Sequence, residues 1–368
     1  MGIYYTIFTL LLLCCFFEFS KNIKLKRNII IAWCVFFTLF GGLRWNTGGD
    51  FEQYYYHFRQ ASWNNIFEYY RYGDRKMEFG FMFINVLIKT LFSKFFIYNL
   101  IITAFIQFTY YKFCRYFFPK TPIIIFAILM IMSSNYFAVR AGLSVGIVYW
   151  AYRYIKEQKL WPFLTIILIA SSIHNQCLIM IPFYWIGKIR LNNIVAIVLL
   201  LSFSTLAYSV QSYVSLLSSS IGGSIGDVTY HYSQRDVGDH TARGTSTLLM
   251  NLFFLINYLY VRKSAMLQKD RFYNTLLNMF LIYVGVYMIF PEEMGEFTRL
   301  AGLLFPAQGL LFTFSIIYYA KNKIKIVRYA AIFFFILYYS YKISGYCDGY
   351  YFEEANVPYK SIFDYNIN

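Results

Sequence analysis

Long, nearly uninterrupted apolar runs recur along the chain, and they leave few folds open. A helix needs about 20 mainly apolar residues to cross a bilayer. Runs of this kind read as spans at Ile3 to Phe19, Asn28 to Leu43, Phe95 to Phe113, Pro122 to Val139 and Ala141 to Ile155. Others follow at Leu191 to Val210, Thr247 to Val261, Phe272 to Phe290, Thr298 to Ala320 and Arg328 to Gly345. Backbone amides cannot stay unpaired in lipid, so the spans are expected to be helices, and continuous runs do not suit a barrel. Only 14% of the residues are charged and 59% are hydrophobic, where an ordinary soluble domain is roughly 25% charged. A water-soluble globular fold, a disordered tail protein and a disulfide scaffold are thereby excluded. The expected fold is an all-α polytopic integral membrane protein in one domain, residues 1–368. It has about 10–13 transmembrane helices, counting segments near 78–92 and 160–187 as broken or re-entrant.

The basic residues orient the bundle. Twenty of the 33 Lys and Arg fall in six short segments: 21–27, 112–120, 153–159, 188–190, 262–271 and 321–328. Fifteen of the 18 acids fall elsewhere, in 44–78, 211–246, 291–297 and the tail 346–368. Cationic loops stay cytoplasmic, so the acidic segments are expected outside, with 44–78 and 211–246 as the larger outer loops. The net charge of +15 is then a topology signal, and nucleic-acid binding gains no support from it. This orientation also requires Glu78 to Phe92 to dip into the outer leaflet without crossing. Leu160 to Gly187 must then enter and return from inside, broken near His174; the competing reading has one ordinary span at each place and six basic residues outside. The first span has no basic flank before it and no small-residue cleavage site, so a retained helix is expected there.

Ionisable residues in apolar surroundings are costly, which makes them functional candidates. Four places qualify. A Gly-rich turn carries Arg44 and Asp50 and leads into Tyr54, Tyr55 and Tyr56; a ligand site and an interfacial belt fit it equally. Arg140 joins two apolar stretches with no acid near it in sequence, and reads as an anion-binding guanidinium more readily than a snorkelling one. His174 lies in a polar knot, Ser171-Ser172-Ile173-His174-Asn175-Gln176, inside an otherwise apolar run. Arg299 opens a span just after three acids, where a rim ion pair is as good a reading as ligand contact. Arg suits bidentate phosphate recognition, and Asp50, Glu78 and His174 are available proton acceptors. Such a set can hold a diphosphate leaving group while a hydroxyl is activated; it also suits an anion transporter.

The absences narrow the chemistry. The chain has no phosphate-binding P-loop, dinucleotide fingerprint or HExxH, and no acidic pair of the kind that holds a nucleotide-sugar metal. Its six cysteines form no CxxC or Cys/His spacing, so neither a metal nor a disulfide is expected, and no cofactor is required.

The ordered motifs carry a family resemblance. Arg44 to Gly49-Asp50 and Tyr54 come first, then Glu78-Phe79-Gly80-Phe81 with Asn85, then Val139-Arg140-Ala141-Gly142-Leu143-Ser144. His174-Asn175-Gln176-Cys177, Thr298-Arg299-Leu300 and Pro358-Tyr359-Lys360-Ser361 follow. Their order and spacing resemble the EpsG-like family of Wzy-type polysaccharide polymerases. The resemblance implies a multi-span enzyme of the bacterial plasma membrane with its active site facing the cell exterior. Its substrate would be an undecaprenyl-diphosphate-linked oligosaccharide, and its product capsule, exopolysaccharide or O-antigen. A flippase and a chain-length regulator would be its partners, beside the bilayer itself. On that reading Arg140, Arg299 and Arg44 hold the diphosphate, and His174, Asp50 or Glu78 takes the acceptor proton. Tyr54 and Tyr55 offer rings and hydroxyls to the glycan. A lipid-linked oligosaccharide transporter and an O-antigen ligase remain the competing readings.

Overall fold

The structure is a computed structural model that describes residues 2–67, 77–120, 122–132, 139–218, 245–264, 267, 270–289, 301–347 and 350–364. Among these residues every element is a helix. The expected all-α class therefore holds. The chain divides into two compact units, 1–181 with 326–368, and 182–325.

In the first unit, α1 (Gly2–Cys14) runs on as a 3-10 turn to Phe19, and α2 spans Ile23–Gly42. Asn22 caps α2, its side-chain oxygen accepting from the Leu25 amide at 3.0 Å. Short α3 (Phe51–Gln60) leads to α4 (Phe79–Leu91), α5 (Phe95–Phe117), α6 (Ile123–Met132), α7 (Val139–Glu157) and α8 (Leu160–Ile173). Here α5 is central, packed on α2 and α7, while α8 packs on α7 and α4. After the second unit the chain returns as α13 (Lys325–Cys347) and α14 (Tyr350–Asn356). The second unit holds α9 (Asn193–Ser218), α10 (Thr245–Arg262), α11 (Arg271–Ile289) and α12 (Pro306–Lys321). Helix α11 packs on α9 and α12. Asn278 of α11 donates to the Ile186 and Ile189 carbonyls, both at 2.8 Å, and so pins the 3-10 segment before α9. Such amide contacts are the polar glue expected between helices that gain little from hydrophobic association in lipid.

The outer faces are those of a protein solvated by hydrocarbon. On α4, Phe79, Phe83, Leu87 and Leu91 recur every fourth residue and are 39–66% exposed. The opposite face buries Phe81, Met82, Asn85 and Val86. A soluble helix would place polar side chains on the exposed stripe. Four described helices are long and apolar enough to cross a membrane: Gly2–Phe19, Arg271–Ile289, Ala301–Lys321 and Lys325–Gly345. Helices α2, α5 and α7 have the length, 19 to 23 residues, but carry Lys, Arg, Asn or Gln along it. That is fewer unambiguous spans than the ten apolar runs suggest. The 13 residues of α4 rise only about 20 Å, short of the roughly 30 Å hydrocarbon core. The run from Leu160 is interrupted at His174, where the backbone turns extended (φ −150°, ψ 110°) before a 3-10 segment, Asn175–Tyr184. The expected outer loop 211–246 is helical at both ends, through Ser218 and from Thr245; residues 219–244 lie outside the described ones.

A basic residue assigned to a cytoplasmic loop is in fact buried. Lys26 lies within α2, 5% exposed, and its Nζ sits 3.1 Å from Glu18 Oε1. The same Nζ donates to the Glu18 and Lys120 carbonyls. The other Glu18 oxygen accepts from the Ile123 and Ile124 amides at 2.7 and 3.1 Å, capping α6. One ion pair thus joins α1, α2 and α6. Removing one partner of a buried pair strands the other charge, at about 3–5 kcal/mol. Glu18→Ala should therefore lower the unfolding temperature of the detergent-solubilised protein markedly. The double variant Glu18→Gln with Lys26→Met should recover much of the loss.

Candidate active site

Three of the sequence-derived candidates converge in the first unit. Glu78 precedes α4, Arg140 sits in the first turn of α7, and His174 is the extended residue that ends α8. Arg140 Nη1 donates to Glu78 Oε2 at 2.8 Å, and the other carboxylate oxygen lies 3.5 Å from His174 Nδ1. The Asn175 amide, exposed by the break in the helix, donates to that same oxygen at 3.2 Å. Arg140 and His174 are 9% and 8% exposed. The break at His174 therefore frees a backbone donor and turns an imidazole toward a carboxylate, both of which an unbroken helix would prevent.

Glycine makes this approach possible. A Cβ on Gly80 would lie 2.3 Å from the Ser172 hydroxyl and 2.8 Å from its carbonyl oxygen. Only a bare Cα lets the start of α4 seat against the end of α8, and that contact sets Glu78 beside His174. Met77 Sδ completes the wall, 3.3 Å from Arg140 Nη1. Cys177, three residues beyond His174, is buried, and its amide donates to the His174 carbonyl at 3.0 Å. Sequence reasoning did not single out Met77, Gly80 or the Asn175 amide for the site. The motif Glu78-Phe79-Gly80 held the one available signal, a glycine in the first turn of an otherwise bulky helix.

The electrostatics divide the labour. Burial pushes the Glu78 carboxyl up, but the His174 ring and the Arg140 guanidinium, helped by the Asn175 amide, outweigh it and hold it down to about 2. A group so acidic is a poor proton acceptor near neutral pH. Glu78 is instead placed as counter-ion to Arg140, with His174 Nδ1 3.5 Å from its other oxygen.

The other candidates lie elsewhere. Arg44 is 2% exposed and faces Tyr54, Tyr359, Asp50 and Tyr4, a different set from that around Glu78. Asp50 is the exposed N-cap residue of α3. Tyr54 is buried, its ring edge-on to Phe81 at 5.7 Å, and Tyr55 is half-buried against Phe51 and Phe95. Arg299 lies outside the described residues. Among the described residues no group of three or more His, Cys, Asp or Glu is placed to hold a metal ion.

Two outcomes test this geometry. Gly80→Ala should destabilise the protein by about 1–3 kcal/mol through overpacking, read as a drop in unfolding temperature. Glu78 contributes stability fully above its ordinary value of 4.5 and loses it as pH falls towards 2. The unfolding-temperature gap between wild type and Glu78→Gln should therefore be constant near neutrality and narrow below about pH 4.5.

Comparison with known proteins gives one match: a family model described as the EpsG family covers residues 27–361. No curated protein and no solved structure matches the chain.

Proposed function

The chain belongs to the EpsG family, a Wzy-like polymerase family, and from that premise we propose which reaction it catalyses and with which residues. A polymerase-like role in polysaccharide synthesis comes with the family. The finer reading is a glycosyltransferase that moves a growing glycan from undecaprenyl diphosphate to the next lipid-linked repeat unit. It would work on the outer side of the bacterial plasma membrane, supplied by a flippase and followed by a chain-length regulator. Capsule, exopolysaccharide or O-antigen would be the product.

The observation that carries this reading is the Arg140–Glu78–His174 cluster. Glycosyl transfer breaks the bond between the anomeric carbon and the diphosphate oxygen and forms one to an acceptor hydroxyl. Negative charge grows on the leaving diphosphate while the hydroxyl loses its proton. Arg140 gives one donor to Glu78 and a second to Met77 Sδ, and keeps three N–H groups for phosphate oxygens. In apolar surroundings, donors aimed at developing charge are worth more than in water. His174, oriented by Glu78, takes the hydroxyl proton on Nε2. The acceptor attacks as that proton leaves, and the protonated imidazole then returns it to solvent or to the departed diphosphate. Glu78 is assigned here as positioning residue and not as base. Arg44, buried beneath the C-terminal segment, supports that segment in this reading, and Asp50 marks the outer mouth.

Purified protein given a lipid-linked repeat unit alone should make a ladder of products. Arg140→Ala should abolish the ladder while the protein remains in the membrane fraction. His174→Ala should slow it by about 10²–10⁴-fold, the usual worth of general-base catalysis. Translocation without a ladder would identify a transporter, and a single transfer to a lipid A core a ligase.

A further inference from the structure

Away from the Glu78 cluster, the first unit has a concavity. It is half open to solvent and holds about 640 Å³ between the Gly-rich turn after α2, the start of α3 and the C-terminal segment. Its lining includes Asn46, Gly48 and Gly49 of the turn, Glu52 of α3, and Glu354 and Lys360 of the C-terminal segment. The volume falls within the roughly 300–1,000 Å³ of ligand sites.

The walls are held before any ligand arrives. The Trp45 amide donates to the Lys360 carbonyl at 2.9 Å, the Gly48 amide to Ala355 at 2.7 Å, and the Ile362 amide to Leu43 at 2.9 Å. Thr47, 1% exposed, accepts from the Lys360 amide at 3.0 Å. Tyr359 stacks on Phe40 at 4.4 Å, and its hydroxyl donates to the Phe40 carbonyl at 2.7 Å. Within this frame Asn46 and Gly48 both adopt left-handed backbone, φ 46° and 100°. Asn and Gly adopt such backbone at little cost, which lets the turn close tightly against the C-terminal segment.

The lining chemistry selects the ligand. Two carboxylates disfavour an anion, so this is not another diphosphate site. Carboxylates and an amide carry paired acceptors or an acceptor beside a donor, and a lysine adds three donors. That set matches vicinal hydroxyls of an uncharged polyol. Helix α3, which supplies Glu52, also supplies Tyr54, whose ring meets Phe81 in the first turn of α4, three residues beyond Glu78. The concavity and the cluster are thus linked through one short helix.

We propose that this concavity is a saccharide subsite that holds sugar residues of the substrate beyond the reacting bond. The proposal rests on the polymerase reading above for its place in the reaction.

The test uses full-length purified protein and, as probe, the strain's own repeat-unit oligosaccharide released from its lipid by mild acid. A Cβ on Gly49 would meet only Ala355 Cβ, at 3.8 Å, so Gly49→Phe should fold and fill the cavity. Glu52→Gln with Glu354→Gln keeps shape and removes the charged acceptors. Wild type should bind the oligosaccharide by calorimetry, and both variants should bind it about tenfold or more weakly, as expected for lost hydrogen bonds to charged groups. In polymerisation, the variants should raise KM for the lipid-linked unit by a similar factor, leave kcat within about twofold, and shorten the product. Unchanged binding and unchanged KM in both variants would overturn the subsite. Oligosaccharide binding that the variants weaken, in a protein that makes no ladder, would keep the subsite and overturn the polymerase reading.

Discussion

A single carboxylate, shared between a guanidinium, an imidazole and a backbone amide, holds together the candidate active site. Glu78 meets Arg140 through one oxygen and His174 and Asn175 through the other. In apolar surroundings each of these charges would be costly alone. Together they fix three chain segments, and each segment pays a local structural cost for the meeting. Helix α8 stops at Ile173, α4 gives up a side chain at Gly80, and α7 carries a cation into its buried first turn.

The arrangement changes what the residue types mean. Listed by type, Glu78, Asp50 and His174 are equivalent proton acceptors. Placed, they are not: the cation beside Glu78 makes it a weak base, while His174 stands against that carboxylate and Asp50 lies at an exposed helix start. Arg44 is a second case. Its residue type suits phosphate, but the chain buries it below a pairing between the Gly-rich turn and the C-terminal segment, where Arg44 and Ser361 form an isolated bridge.

Much of the architecture was legible in the sequence because hydrophobic length is a local property. The helices near 3–19, 28–43, 95–113 and 141–155 lie where their apolar runs place them. The interruption at His174 was legible too, since a knot of Ser, Asn and Gln cannot continue an apolar helix without leaving polar groups to satisfy. The pairings were not legible. Glu78 and Arg140 are 62 residues apart and Thr47 and Lys360 are 313 apart, and no periodicity encodes such distances. Charge counting likewise placed Lys26 in a loop, because its buried partner Glu18 is an acid that no topology rule assigns to either face.

That last pair bears on how the chain is built. Glu18 and Lys26 are eight residues apart and neutralise one another as soon as the first hairpin has formed. The amides of Ile123 and Ile124, which share the same carboxylate, are made about a hundred residues later. During synthesis the first two helices can therefore pack with this one buried pair already matched. They then wait with one acceptor unfilled, a receptor within the nascent chain that selects the start of α6 when it emerges.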